Sequence, residues 1–145
     1  MSTCFFIGHR DTPETVFLAL CEAVEQHIVE FDITEFLVGN HGNFDRLAAA
    51  AVTMAKAKHP HVKLVGLLSY HPTNRPSLLP DGFDGTVYPS VLDTVPQRVA
   101  TVRANRWGVQ QSSHLIAYVR HSASNAAAVM AYAVRRGVAV QNLGV

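Results

Sequence analysis

The sequence predicts a three-layer α/β fold with a Rossmann-like, doubly wound and mainly parallel sheet of five or more strands. Short apolar runs alternate with amphipathic, helix-forming segments along the chain. Most positions in these runs are apolar, as is usual for strands that helices cover on both faces. The length of 145 residues is typical of one domain, so residues 1–145 are expected to form a single Rossmannoid unit.

The first half of the chain shows the alternation in order. Thr12 is the expected N-cap of the first helix, and Pro13 fits its first helical position. Apolar residues every four positions after it form the buried stripe of that helix. The predicted elements are a strand at Cys4–Ile7, a helix opening at Thr12–Glu14, a strand at Glu35–Val38, a helix from Asp45 to about Lys58 and a strand at Val62–Leu68.

The second half resumes the alternation after an interruption. Ser69–Val95 is rich in proline, which predicts an irregular segment, able to act as a lid, with one short strand near Val87. The later elements are a helix from about Pro96 to Gln111, a strand at His114–Val119, a helix from about Ser124 to Arg136 and a strand at Val138–Leu143. We expect the first strand to be central and the strand at His114–Val119 to lie beside it.

Composition excludes several classes of protein. Apolar residues make up 48% of the chain and charged residues 16%, which argues against intrinsic disorder. Twelve basic and eleven acidic residues give a net charge of +1, too balanced for electrostatic binding of duplex DNA. There is no apolar run of the roughly 18 residues that a membrane span needs, and the first residues lack the basic and long apolar regions of a signal peptide, so secretion is not expected. Cys4 and Cys21 form no metal or redox motif, so a cytoplasmic protein is expected.

Three polar loops follow predicted strands, at Gly8–Asp11, Gly39–Asp45 and Arg120–Asn125. The carboxyl ends of parallel strands meet at one edge of a sheet, which predicts that these loops share one pocket. The helix that begins near Ser124 offers free N–H groups and a partial positive charge there, which favour phosphate. The eight histidines show no metal-ligand spacing, so no metal site is predicted.

Three motifs carry a family resemblance. F-I-G-H-R follows the first strand, G-x-x-G-x-x-D-x-x-A follows the second, and R-x-N-R-W precedes L-I-A-Y-V. In this order they resemble the YpsA-like branch of the SLOG superfamily, which also contains the LOG phosphoribohydrolases and the DprA/Smf proteins. The resemblance implies a Rossmannoid fold that binds a nucleotide or a nucleotide-derived ligand.

The chain departs from that pattern at two places and lacks a related enzyme signature. Ser124-Asn125-Ala126 stands where the branch usually has Gly-Gly-Thr or Gly-Gly-Ala, and Ser113-His114 stands where it tends to have Ser-Asp. The P-G-G-x-G-T-x-x-E signature of the LOG enzymes is absent, together with its catalytic glutamate. The hydrolase interpretation therefore loses its main support.

The candidate ligand-binding residues come from the three loops and the third long helix. Gly8 and Gly39 serve either tight turns or close approach of a ligand, with equal weight. We expect Arg10 to contact phosphate rather than to be a solvated loop charge. Asp45 is either a helix N-cap or an acceptor of hydrogen bonds from ribose hydroxyls. The full set is Gly8, His9, Arg10, Gly39, His41, Gly42, Asp45, Arg103, Arg106, Ser122, Ser124 and Asn125.

The third long helix contributes two arginines to this set. On a 3.6-residue period, Arg103 and Arg106 share a side with Val99 and Val102. They are expected to bind an anion or a structural carboxylate rather than to extend past the apolar stripe into solvent. Asn105 and Trp107 are expected on other sides of the helix, with Trp107 in the core or at an interface.

The leading functional hypothesis is binding or sensing of a nucleotide, such as an ADP-ribose-like compound or a dinucleotide, without any required cofactor. The alternative is an enzyme that cleaves or transfers at an N-glycosidic bond, which needs a carboxylate. Asp11 and Asp45 are near the predicted site, and Asp81 or Asp84 would join them if the proline-rich segment closes as a lid.

A second alternative is binding of single-stranded nucleic acid in the manner of DprA, which neutral charge and few site aromatics disfavour. The expected partner is a small-molecule nucleotide, with no membrane partner. The alanine-rich faces Ala48–Ala51 and Ala126–Ala128 would suit close packing in a homodimer.

Overall fold

The apolar runs form a six-stranded sheet in which every neighbouring pair is parallel. The computed structural model describes residues 2–71 and 82–145. Within those residues the strands are β1 (Ser2–Gly8), β2 (Ile33–Val38), β3 (Lys63–Leu67), β4 (Gly85–Val87), β5 (His114–Tyr118) and β6 (Ala139–Asn142). Their spatial order is β4-β3-β2-β1-β5-β6. This order confirms the prediction of a parallel sheet with a central first strand and β5 beside it.

Helices cover both faces of the sheet. They are α1 (Phe17–Val29), α2 (Asn43–Lys58), α3 (Gln97–Gln110) and α4 (Asn125–Arg135), with short 3-10 helices at Glu14–Val16 and Ser90–Thr94. Phe6 packs in a core with α1 and α2, whereas its neighbour Phe5 packs in a second core with α3 and α4. Successive strand residues point to opposite faces, so β1 supplies large aromatic side chains to both cores. The predicted three-layer architecture is confirmed.

Two helix starts differ from the sequence-based expectation. Thr12 is buried and its hydroxyl donates to the His9 carbonyl at 2.6 Å, so it closes a turn instead of capping a helix. Pro13 precedes the 3-10 helix that leads into α1. α2 begins at Asn43 with Gly42 as its N-cap, which places Asp45 inside the first turn. The N-cap interpretations of Thr12 and Asp45 are therefore wrong.

The proline-rich segment contains the predicted short strand, β4, at the edge of the sheet. A polar clamp holds this edge: Asp84 Oδ2 accepts from the Leu64 N–H at 2.8 Å and from Lys56 Nζ at 2.6 Å. Asp84 is therefore engaged at the edge strand, away from the predicted site. Pro72, Pro76, Pro80 and Asp81 lie outside the described residues, together with the rest of residues 72–81 of the predicted lid. No helix in the described ranges is both long enough and apolar enough to span a bilayer.

The strand order of the sheet reverses at the neighbouring strands β1 and β5. From β1 the chain proceeds outward through β2, β3 and β4, and it then returns to place β5 on the other side of β1. In open α/β sheets a crevice forms outside the carboxyl ends of the two strands at such a reversal. Here those ends are Gly8 and Tyr118, where two of the predicted site loops begin.

Candidate functional site

A cavity of about 610 Å³ opens at the carboxyl ends of the central strands and is lined further along by α3 and α4. Its volume is within the range of roughly 300–1,000 Å³ that is typical of small-molecule sites. The candidate residues in its lining are Gly8, His9, Arg10, His41, Gly42, Asp45, Arg106, Ser124 and Asn125. Gly39, Arg103 and Ser122 are not among the residues that line it.

Gly8 has a packing role that needs no ligand. A Cβ atom at this position would overlap the ring of Phe44, which is buried in the first turn of α2. The Phe44 ring lies across the end of β1 and is tilted against the Phe6 ring, at 6.3 Å between ring centroids. Gly8 therefore allows α2 to approach the central strand and sets the floor of the cavity.

The first two loops are fastened together at the cavity rim. The Asn43 N–H donates to the Arg10 carbonyl at 2.9 Å, and Asn43 Nδ2 donates to the Thr12 carbonyl at 2.5 Å. A Cβ at Gly42 would lie 2.6 Å from the Arg10 Cα, so only glycine permits this approach. The Arg10 backbone is thus fixed, while its exposed guanidinium forms no ion pair with any residue of the described ranges.

Of the described residues that line the cavity, Asp45 is the one with a carboxylate. Its Oδ2 accepts from the His41 N–H at 3.0 Å, and a Cβ at Gly39 would lie 3.1 Å from the same oxygen. Burial raises the pKa of Asp45 to about 6, against the opposing effects of the His41 hydrogen bond and the Arg10 charge. The carboxyl group is therefore mainly ionised at pH 7 and can gain a proton in mildly acidic solution. Gly39 lies next to this carboxylate and does not line the cavity.

His9 connects the β1 loop to the β5 loop. Its Nε2 accepts from the Arg120 N–H at 2.9 Å, which requires a neutral ring with the proton on Nδ1. Burial lowers the pKa of His9, and the neighbouring His121 lowers it further. The ring centroid lies 4.8 Å from that of His121. His9 thus links the two loops through Nε2, and its Nδ1–H can still donate a hydrogen bond.

Ser124 is the N-cap of α4. Ser124 Oγ accepts from the Ala127 N–H at 3.1 Å and donates to the His121 carbonyl at 2.7 Å, so this hydroxyl is committed to the cap. The N–H groups of Asn125 and Ala126 belong to the first turn, where helices have no internal acceptor. Both residues line the cavity. The α4 start therefore supplies backbone donors and partial positive charge, and the glycines of the related motif are not needed for that.

Four arginines line the cavity: Arg10, Arg98, Arg106 and Arg135. The Arg106 guanidinium lies 5.6 Å from the ring centroid of Tyr132, a cation–π arrangement that orients it. Arg103, which the sequence pattern paired with Arg106, is exposed on α3 outside the cavity lining. The charge facing the cavity is strongly positive, although the net charge of the chain is only +1.

Asn105 is a site residue that sequence reasoning missed. It lines the cavity and is only 7% exposed, contrary to the expectation that it lies on another side of α3. From α3 the cavity is lined by Arg98, Thr101 and Asn105 as well as by Val102 and Arg106, so the side of the helix that faces the cavity is broader than the predicted one. Polar residues spaced by three and four positions were the available signal. Trp107 is half-buried against the second core, as expected.

Comparison with known proteins identifies a fold. No family model matches the chain, and no curated protein matches its sequence. DNA processing protein A (DprA) from Streptococcus pneumoniae matches in structure with a TM-score of 0.72 and 14% sequence identity. The chain has the fold of a DprA domain. The match covers 98% of this chain and 50% of the DprA chain, so this protein corresponds to about half of DprA.

The structural similarity to DprA tests the fold that the sequence motifs led us to expect. DprA is a member of the SLOG superfamily that the motifs resemble, so the fold expected from that resemblance is confirmed. Assignment to the YpsA-like branch stays a prediction.

Proposed function

We propose that this protein binds a nucleotide or a nucleotide-derived ligand in the cavity at the carboxyl edge of the sheet. The observation that supports this most strongly is the charge of the lining, which has four arginines against the single carboxylate of Asp45. An anion is the natural guest of such a cavity, because bonds between guanidinium and phosphate are charge-assisted.

Each part of a nucleotide has a suitable group in the lining. Arg10 and the backbone donors at the start of α4 supply charge and N–H groups for a phosphate. The ionised Asp45 supplies acceptors for ribose hydroxyls. Arg135 lies roughly 15 Å further along α4 than Asn125, given a rise of about 1.5 Å per residue. This length favours an ADP-ribose-like compound or a dinucleotide, which places anionic groups well apart.

The test of this proposal is calorimetric titration with ADP-ribose, AMP and NAD. Charge-assisted bonds are worth roughly 1.5–3 kcal/mol each, so Arg10→Ala should weaken binding by about ten- to a hundredfold. Arg103→Ala is the matched control, because it removes an exposed arginine outside the cavity lining, and it should change affinity by less than about twofold. The proposal fails if the wild type binds none of the three ligands. The role of Arg10 fails if both variants bind like the wild type.

Cleavage or transfer at an N-glycosidic bond is a second candidate, and the raised pKa of Asp45 favours it. A carboxyl group that titrates near pH 6 can exchange a proton with a substrate under physiological conditions. Release of free base from AMP or NAD by the wild type, abolished in Asp45→Asn while binding is kept, would establish this candidate. Binding without any turnover would exclude it.

Binding of single-stranded nucleic acid remains the third candidate, because a DNA processing protein shares the fold. Phosphate contacts along a strand make affinity fall steeply with salt. Titration with an oligothymidine in 50 mM and 200 mM salt distinguishes binding of single-stranded nucleic acid from binding of a small nucleotide. Tight binding with a steep salt dependence would favour the nucleic acid over the small molecule.

A further inference from the structure

Asn105 combines burial with an unused carboxamide. The residue is only 7% exposed, yet its side chain forms no hydrogen bond with any residue of the described ranges. Thr34 Oγ1 is the one fully buried side-chain polar atom without a partner in the described ranges, so the Asn105 carboxamide keeps some contact with solvent. The Asn105 side chain is part of the cavity wall. The carboxamide is therefore free to form hydrogen bonds with a group bound in the cavity.

The surroundings of Asn105 differ from those of the cavity rim. Charged groups at the rim, such as Arg10 and Asp45, suit the phosphate and the ribose. Val102, three positions before Asn105 on α3, and Val129 of α4 offer apolar surface to the same cavity, although α3 also contributes arginine and threonine side chains to its lining. Val129 is only 6% exposed. Apolar surface beside a neutral donor–acceptor group suits a flat heterocycle.

We infer that Asn105 is a specificity-determining residue of the proposed site and pairs with the edge of an adenine-type base. This inference rests on the proposed function. A carboxamide presents a donor and an acceptor side by side, and adenine offers the complementary N6 donor and N7 acceptor on one edge. A hypoxanthine base carries an acceptor in place of the N6 donor, so it leaves the Asn105 oxygen unpaired.

The experiment compares the affinities for AMP, IMP and ribose 5-phosphate. The wild type should bind AMP at least tenfold more tightly than either of the others. Asn105→Leu removes the hydrogen-bonding pair at similar volume, so it should bind AMP and IMP equally and ribose 5-phosphate as the wild type does. Gln97→Leu makes an equivalent change at an exposed position of α3 outside the cavity lining and should keep the AMP preference.

The outcomes distinguish the inference from the proposed function. Binding of ribose 5-phosphate without any AMP preference in the wild type would keep the anion site and overturn the role of Asn105. The same role is overturned if Asn105→Leu keeps the AMP preference. If neither AMP nor ribose 5-phosphate binds, the proposed function fails together with the inference. Should Asn105→Leu not fold, Asn105→Ser serves instead, because its shorter side chain cannot form both bonds and must lose the AMP preference.

Discussion

Among the individual residues of the cavity, Asp45 shows how burial changes the protonation of a carboxyl group. Its carboxyl group is held against the His41 N–H, and its pKa rises from 3.8 to about 6 because the charged form loses solvation. The folded protein therefore holds a proton on Asp45 at pH values where the unfolded chain has lost it. Ionised Asp45 costs stability above pH 6, and that cost disappears as the pH falls from 6 towards 3.8.

Asp45→Asn should therefore raise the free energy of unfolding at pH 8. The expected gain is about 1–2 kcal/mol once partial solvent exposure is discounted, and it should shrink to near zero by pH 4. Urea denaturation at several pH values measures it. Asp11→Asn, which changes an exposed carboxylate in the β1 loop, is the control and should have little effect. A loss of stability in Asp45→Asn at pH 8 would show that the ionised carboxylate is net stabilising.

At the scale of elements, strands and helices followed from local pattern, whereas the orientation of α3 did not. The strands were predictable because unbroken apolar runs mark burial on both faces. The convergence of the loops followed from parallel topology alone. On α3, however, the side that faces the sheet holds the small residues Ala100, Ala104 and Gly108, not Val99 and Val102. Gly108 fits against the large Phe5 of β1, a complementarity between distant positions that no local period reveals.

This close contact gives a prediction for α3. Alanine normally stabilises a helix interior by about 1 kcal/mol relative to glycine. At Gly108, however, a Cβ would lie 2.9 Å from the tip of the buried Phe5 ring. Gly108→Ala should therefore lower the free energy of unfolding by about 1–2 kcal/mol, because the ring or the helix must shift.

The contact is tested by a double-mutant cycle. In a Phe5→Leu background the obstacle is removed, so Gly108→Ala should become neutral or stabilising. Denaturant unfolding of the four proteins provides the measurement. An equal effect of Gly108→Ala in both backgrounds would mean that the Phe5 ring does not limit the approach of α3.

At the scale of the whole molecule, several histidines are held neutral by burial. The pKa is lowered for His9, His27, His41 and His114, with desolvation as the first cause in each. The unfolded chain takes up protons at these positions near pH 6.5, before the folded chain does. The stability that they contribute is thus present above pH 6.5 and is lost as the pH falls towards their folded pKa values.

His27 provides the clearest test of this pH dependence. It is 2% exposed, its Nδ1 lies 2.7 Å from the Ala23 carbonyl, and its ring contacts His114 and Phe31. The free energy of unfolding of the wild type should fall between pH 7.5 and 5.5, and it should fall less steeply in His27→Gln. His61→Gln, at an exposed position, should keep the slope of the wild type. Parallel slopes for all three proteins would exclude His27 as a source of acid sensitivity.

The position of β1 has a consequence for biosynthesis. A ribosome delivers β1, β2 and β3 with α1 and α2 first, and these elements can already pack into one of the two cores. The other side of β1 stays unpaired until β5 emerges, more than a hundred residues after the first strand began. Since α3 and α4 form much of the cavity wall, a nascent chain has no ligand site until both helices have emerged. A ligand that binds this site stabilises only chains in which both cores have formed. It therefore shifts the folding equilibrium towards the complete fold.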